Sequence, residues 1–290
     1  MSARRTQALA GVTAIVALGT AAALIWGVGP EPELDPEPAR EHRALDGWRA
    51  GPATRPLERV PGQGAIQRAA TFARTRGDLV SFAAIDSTGR LHSARGTIPY
   101  PSASLGKAMV LVAYLRRLEA EGAPLTPETR QQLTSMIIWS DNKAADAIYP
   151  AIGDPGMVDV AKRARMRSFE PTGYWSEEQV TADDMARLMW RIRRVLGQRY
   201  RALGMRLLAH VIPAQRWGIP AAAGSSWHVW FKGGWRESPG GQLVHQAALL
   251  RGEGRRVAIA VLTDAQPSQA HGVATIRGIA ARLLGTARRG

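Results

Sequence analysis

Cysteine is absent from this 290-residue chain, which excludes disulfides, thiol catalysis and Cys-ligated metals and leaves the redox compartment unreadable. Lysine is nearly as scarce. Of 38 basic residues only Lys107, Lys143, Lys162 and Lys232 are not arginine. A guanidinium supplies positive charge but cannot give up its proton in a protein, whereas a desolvated amine can. A lysine kept beside a serine, as in Ser104-Leu105-Gly106-Lys107, therefore points to chemistry. The six histidines show no metal-ligand spacing, so no metal is expected. A formal charge of +14 raises nucleic acid as a partner, but the arginines are scattered and no nucleic-acid motif accompanies them, so that class is set aside. Attraction to anionic polymers or lipid headgroups accounts for the charge equally well.

The first 28 residues speak to location. Arg4 and Arg5 precede Ala8 to Val28, an uncharged run of about the ~20 residues needed to cross a bilayer. Basic residues before the run and acidic ones after it, from Glu31 to Glu37, predict a cytoplasmic tail with the bulk of the protein outside. Ala21-Ala22-Ala23 offers a signal-peptidase site, but the apolar run continues past it, which favours a retained anchor over secretion. The paired arginines weakly resemble a twin-arginine export signal. A Pro-rich stretch over residues 29–60 reads as a linker, and residues 61–290 as one domain, long enough to bury a core and expected to be a monomer. No internal repeat is seen.

Within that domain, Gly64 to Thr75 reads as a helix. Leu79 to Asp86 and Leu91 to Arg95 read as strands about a turn at Ser87-Thr88-Gly89. Ser104 to Glu121 is helical and apolar nearly all round, the mark of a buried helix. Thr126-Pro127 and Thr181 with Asp184 open further helices. Strands return at Trp227 to Phe231, Leu243 to Leu250 and Val257 to Thr263, the last two joined through Gly252 and Gly254. An amphipathic helix closes the chain from about His271 to Leu284. The fold class is therefore α/β (α+β): an antiparallel sheet assembled from the two ends of the chain, flanked by helices, with an all-helical lobe inserted.

The motifs sit on those elements. Residues three apart on a helix are neighbours, so Lys107 lies on the face that carries Ser104. Burial depresses the lysine pKa and frees an amine to take the serine proton, and the helix N-terminus favours a developing oxyanion. Ser140-Asp141-Asn142 interrupts a helical segment after Trp139. Asp141 is placed to cap the next helix, Ser140 to shuttle a proton and Asn142 to hold a substrate carbonyl or amide. Lys232-Gly233-Gly234 reads as a strand end entering a loop, because paired glycines mark turns, with Lys232 offered to a substrate carboxylate. Each piece alone is commonplace; their joint occurrence is not.

In the order S-x-x-K, S-D-N, K-x-G, the chain resembles the class A β-lactamases and the penicillin-binding DD-peptidases over roughly Gly64 to Leu284. The resemblance implies that Ser104 is the acylated nucleophile, Lys107 its activating base, Ser140 the shuttle to the leaving nitrogen and Asn142 a substrate-orienting residue. It further implies that Lys232 and Gly234 line the cleft and that the backbone N–H groups of Ser104 and Trp235 form the oxyanion hole. Thr181 to Leu188 resembles the helix after the omega loop. Two departures stand out. Gly233 replaces the hydroxyl residue usual in the middle of the third motif, which weakens carboxylate recognition. Nothing between Met157 and Val180 reproduces the E-x-x-L-N of the omega loop, whose glutamate activates the deacylating water. Glu170 is the nearest candidate and reads more simply as an exposed turn acid.

No cofactor is implied, because serine, lysine and backbone donors suffice for acyl transfer. The expected substrate is a β-lactam or a peptidoglycan peptide, in a cleft narrowed by Trp175 and Trp235. The readings are a β-lactamase-like serine hydrolase, a DD-peptidase or transpeptidase, and a penicillin-binding sensor or weak binding module.

Overall fold

The computed structural model describes residues 59–252 and 254–286. The expected anchor and the linker before residue 59 lie outside them. In chain order the strands are β1 Val80–Ile85, β2 Leu91–Ala94, β3 Tyr100–Pro101, β4 Gln179–Val180, β5 His228–Ser238, β6 Gly241–Gly252 and β7 Arg255–Gln266. The α-helices are α1 Gln63–Arg74, α2 Gly106–Ala120, α3 Pro127–Thr134, α4 Asn142–Ile148, α5 Gly153–Ala164, α6 Ala182–Val195, α7 Arg201–Ala209, α8 Ile219–Ala223 and α9 Gln269–Leu284.

Five strands make one antiparallel sheet in the order β2-β1-β7-β6-β5. β1 and β2 come from the N-terminal side of the domain and β5 to β7 from the C-terminal side, with α2 to α8 between them, as the spacing of strand and helix patterns predicts. Successive residues on a strand face opposite sides, so the unbroken burial of β1 and of Leu243 to Leu250 requires cover on both faces. α9 packs on β6 and β7, α1 packs on α9 and β1, and α6 packs on β1, β6 and β7. A second, two-stranded sheet pairs β3 with β4, and Glu170 bridges Gln179 beside it. Short pieces like these carry too little periodicity to be read from sequence.

Local chemistry sets the helix starts. Thr126 caps α3 by accepting from the Thr129 N–H, with Pro127 in the first turn. Thr181 caps α6 through the Asp184 N–H, and Ser268 caps α9 through the His271 N–H, which starts that helix two residues before the expected His271. Asp141 accepts from the N–H groups of Lys143 and Ala144 to open α4.

α2 is buried on every side at Lys107 to Val112. Each fully buried Val, Leu or Met contributes about 1.5–3 kcal/mol, so Met109, Val110, Leu111 and Val112 together outweigh the cost of placing one lysine among them. Among the described residues no helix is long and apolar enough to cross a membrane.

The strand expected to end at Phe231 does not end there. β5 continues through Lys232, Gly233, Gly234 and Trp235, paired throughout with Ala247, Gln246, His245 and Val244 of β6. The glycine pair marks a close approach rather than a turn. A Cβ at Gly234 would lie 2.9 Å from the Ser104 amide nitrogen and 3.1 Å from that of Leu105, and one at Gly233 would lie 3.3 Å from the Trp217 ring.

Candidate active site

Ser104 sits in a 3-10 turn, Ala103–Leu105, that leads directly into α2. The helix therefore begins two residues later than its apolar pattern suggests. Ala103 adopts φ 45° and Ser140 φ 63°, left-handed conformations for residues that carry a Cβ. Strain of this kind persists only where surrounding contacts over-determine it. At Ala103 the neighbouring backbone is held to residues 175–178: the Ser102 N–H donates to the Glu178 carbonyl, the Ala103 N–H to the Ser176 carbonyl, and Ser102 Oγ to the Trp175 carbonyl. Gly106 is required there, because a Cβ would fall 2.1 Å from the Trp175 oxygen. At Ser140 the chain leaves a π turn, Ser135–Trp139, and enters α4.

Three segments distant in sequence thus meet at two amines. Lys107 Nζ donates to the Ser140 carbonyl and, at 2.6 Å, to Asn142 Oδ1, and lies 3.2 Å from Ser104 Oγ and 3.3 Å from Ser140 Oγ. Lys232 Nζ donates to Ser140 Oγ at 2.9 Å and to the Gly233 carbonyl at 3.0 Å. Both lysines are fully buried. Burial lowers the Lys107 pKa to about 8, against the opposing pull of Asp141 and Asp146. Burial also holds Lys232 well below its ordinary value, and the charge of Lys107 adds to that.

Counting donors shows what this arrangement can do. A neutral amine has two N–H bonds and one lone pair. The two carbonyl-type acceptors, the Ser140 backbone oxygen and Asn142 Oδ1, occupy the two N–H bonds, which leaves the lone pair for the Ser104 hydroxyl proton. Asn142 is therefore placed to orient the Lys107 amine. Gly234 brings the β5 backbone against Ser104, and Trp235, next along the strand, sets its ring edge-to-face on Trp217 at 5.8 Å. Ser104, Lys107, Ser140, Asn142 and Lys232 are joined by direct contacts, and Gly234 adjoins them through backbone.

Glu170 is not brought in. It is exposed, and its backbone pairs with Gln179. The position beside Lys107 is taken instead by Trp175, whose ring centre lies 4.7 Å from Nζ and whose Nε1 donates to Asp146. None of the hydrogen-bond partners of Lys107 among the described residues is a carboxylate. Nor does any group of three or more acidic or His side chains among them stand ready to hold a metal.

The chain matches the family model described as the beta-lactamase enzyme family over residues 122–287, more than half its length. It belongs to that family. The match takes in Ser140 and Lys232, while Ser104 and Lys107 lie before it and join the site through the fold. As a member of the beta-lactamase enzyme family the chain is a serine hydrolase of β-lactamase type. Its fold is similar to that of a class A beta-lactamase from Mycobacterium abscessus, at 19% identity and TM-score 0.66, over 76% of this chain and 98% of that one. Beta-lactamases from Xanthomonas campestris (18%, TM-score 0.65) and Sphaerobacter thermophilus (18%, TM-score 0.66) each align over 76% of this chain and 96% of their own. A comparison with curated proteins found no match.

Sequence reasoning missed several residues that shape the site of this beta-lactamase family member. Trp217 fills the space that a side chain at position 233 would take. Arg236 and Glu177 form a bidentate ion pair that ties β5 to the segment before α6. Glu178 is fully buried, lies with Oε1 3.0 Å from Tyr149 Oη, accepts from the Thr172 N–H at 3.1 Å, and is pushed up to about 7, chiefly by burial. None of these four residues has a local sequence signal, because their partners lie far along the chain or in segments without periodicity.

Proposed function

We propose that this protein is an extracytoplasmic serine hydrolase that opens β-lactams or related amides through an acyl-Ser104 intermediate, with deacylation as its slow step. The observation that carries the reading is the 3.2 Å approach of Lys107 Nζ to Ser104 Oγ, with the same nitrogen held by the Ser140 carbonyl and Asn142 Oδ1. Lys107 takes the hydroxyl proton as Ser104 Oγ attacks the amide carbon. Ser140, held between the two amines, relays a proton to the departing nitrogen. Lys232 favours an anionic substrate group, and backbone N–H groups at Ser104 and Trp235 stabilise the oxyanion. General acid–base relay of this kind raises the rate by a factor of roughly 10²–10⁴.

Slow deacylation rests on Trp175 beside Lys107 and on the exposure of Glu170. Among the described residues no carboxylate is hydrogen-bonded to Lys107, and Asp146 nearby is engaged by Trp175 Nε1, so water is poorly activated and the ester outlives the chemistry that made it. The same observation favours a second reading, a peptidoglycan DD-peptidase or transpeptidase, in which an incoming amine supplies the acceptor nucleophile. Arg4, Arg5 and the apolar run to Val28 support placement outside the cytoplasm.

Intact-mass measurement of the full-length protein and its Ser104→Ala variant, followed over time after exposure to a penicillin, tests the reading. A Ser104-dependent adduct that persists for many minutes is expected. Absence of any adduct would overturn the proposal, rapid decay would overturn the slow step, and D-Ala release from a peptide ending in D-Ala-D-Ala would favour the second reading.

A further inference from the structure

The unusual charge of this chain has a structural focus away from Ser104. A cavity of about 350 Å³ is lined by Trp190 and otherwise only by arginines. α5 delivers Arg165 just past its end, α6 delivers Arg191 and Arg194 in its final turns, α7 opens on Arg201, and Arg256 reaches in from the start of β7. Several arginines elsewhere are matched by acids, Arg236 by Glu177, Arg187 by Asp184 and Arg163 by Asp159. Among the described residues none of Arg165, Arg191, Arg194 and Arg256 forms an ion pair.

Helix dipoles explain only part of this gathering. Arginines at the end of α6 meet the negative pole of that helix, but Arg201 stands at the first residue of α7, where the positive pole disfavours a cation. The guanidiniums also oppose one another. Burial and then the charges of Arg165, Arg187 and Arg194 lower the Arg191 pKa, while burial followed by Arg251, Arg194, Arg191 and Arg193 lowers that of Arg256. The Arg256 guanidinium lies 3.6 Å over the Trp190 ring, which fixes its plane and takes up the aromatic face. What remains in the cavity is a gathering of guanidinium forks, of which Arg256 is held by Trp190 and Arg201 by the Gly197 carbonyl, and such forks match phosphate oxygens bidentately. A single phosphate would leave most of the positive charge unmatched, whereas linked phosphates offset more of it in the same volume.

We propose that this arginine-lined cavity is a binding site for an oligophosphate group, two or more linked phosphates, separate from the acylation centre.

The test is calorimetric titration of sodium tripolyphosphate into the full-length protein in a non-ionic detergent, at about 0.15 M salt, where charges beyond ~8 Å are screened. One saturable site per chain is expected. Arg191→Gln and Arg256→Gln should each weaken it by roughly tenfold or more, the loss of one charge-assisted hydrogen-bonding group. Arg68→Gln, an exposed arginine on α1, should leave it unchanged. Without ligand Arg191→Gln should melt no lower than the parent, because it removes a repelling charge and no stacking contact, so lost binding is distinguishable from lost folding. Sulfate and orthophosphate should bind at least tenfold more weakly than tripolyphosphate. Doping the micelles with diacylglycerol pyrophosphate separates the two sources of the group: displacement of tripolyphosphate shows that a lipid headgroup reaches the site, and no displacement restricts it to soluble oligophosphates. Absence of saturable binding, equal loss in Arg68→Gln, or equal affinity for sulfate would overturn the proposal.

Discussion

Lys107 and Lys232 share one hydroxyl: their ammonium nitrogens lie 3.3 Å and 2.9 Å from Ser140 Oγ. Two buried amines on one acceptor titrate as a coupled pair, and the first proton lost is the cheaper because it relieves both burial and repulsion. In the proposed mechanism Lys107, at about 8, takes the Ser104 proton because it is the amine of the pair that lies within reach of that hydroxyl. Ser104 acylation should therefore accelerate as pH rises through about 8, a profile measurable as adduct formation against pH. Lys107→Ala should lower the rate by roughly 10²–10⁴-fold without abolishing folding.

The same shift acts on stability. Between about 8 and the ordinary 10.5, the unfolded chain holds a proton on Lys107 that the folded chain has lost, so stability rises with pH across that window and is lowest below it. The cost below pH 8 is on the order of 3 kcal/mol. Lys107→Met should flatten this dependence and raise the urea midpoint at neutral pH; an unchanged slope would mean that Lys107 is not the titrating group.

Gly234 tests whether close backbone approach, rather than a turn, is its role. Its added methyl would press on the Ser104 and Leu105 amide nitrogens, and backbone cannot swing aside as a side chain can. Gly234→Ala should cost about 1–3 kcal/mol of stability and, through displacement of Ser104 from β5, about 100-fold in acylation rate. Near-normal acylation in a folded Gly234→Ala protein would show that this contact is not needed.

Much of this architecture was legible because it rests on long, periodic elements: the all-round apolar α2, the capping residues Thr126, Asp141 and Thr181, and strands drawn from the two ends of the chain. The gathering of Ser104, Lys107, Ser140, Asn142 and Lys232 was legible because they fall in short motifs whose spacing is chemical. The end of β5 was misjudged because a glycine pair reads alike whether it turns the chain or admits a neighbouring backbone, and only the position of Ser104 tells them apart. Trp217 and Glu178 were silent because their roles depend wholly on partners brought from afar.

Trp217 turns the missing hydroxyl of the third motif into a packing question. A side chain at position 233 would meet its ring at 3.3 Å, so Gly233→Thr should destabilise by about 1–3 kcal/mol through overpacking and should not improve β-lactam binding. In a Trp217→Ala background the same substitution has room. Its cost should then fall by about 1 kcal/mol or more, a coupling that a double-mutant cycle in urea would read directly. Additive costs would mean that Trp217 does not decide the residue at 233.

Glu178 sits where one phenol proton serves two acids. Tyr149 Oη contacts Asp154 Oδ1 at 2.5 Å and Glu178 Oε1 at 3.0 Å, and it can donate to only one of them. The arrangement is satisfied when Glu178 is protonated, donating to Tyr149 while Tyr149 donates to Asp154. This agrees with a carboxyl pushed up from 4.5 to about 7, first by burial and further by the charge of Asp154. The folded chain then holds more protons than the unfolded one between about 4.5 and 7, so this group contributes stability at the acid end of that window and loses it as pH rises through 7. Glu178→Gln supplies the donor at every pH. It should therefore unfold at higher urea than the parent above pH 7, match it near pH 5, and shed the slope between; a slope that survives the substitution would assign the proton to another group.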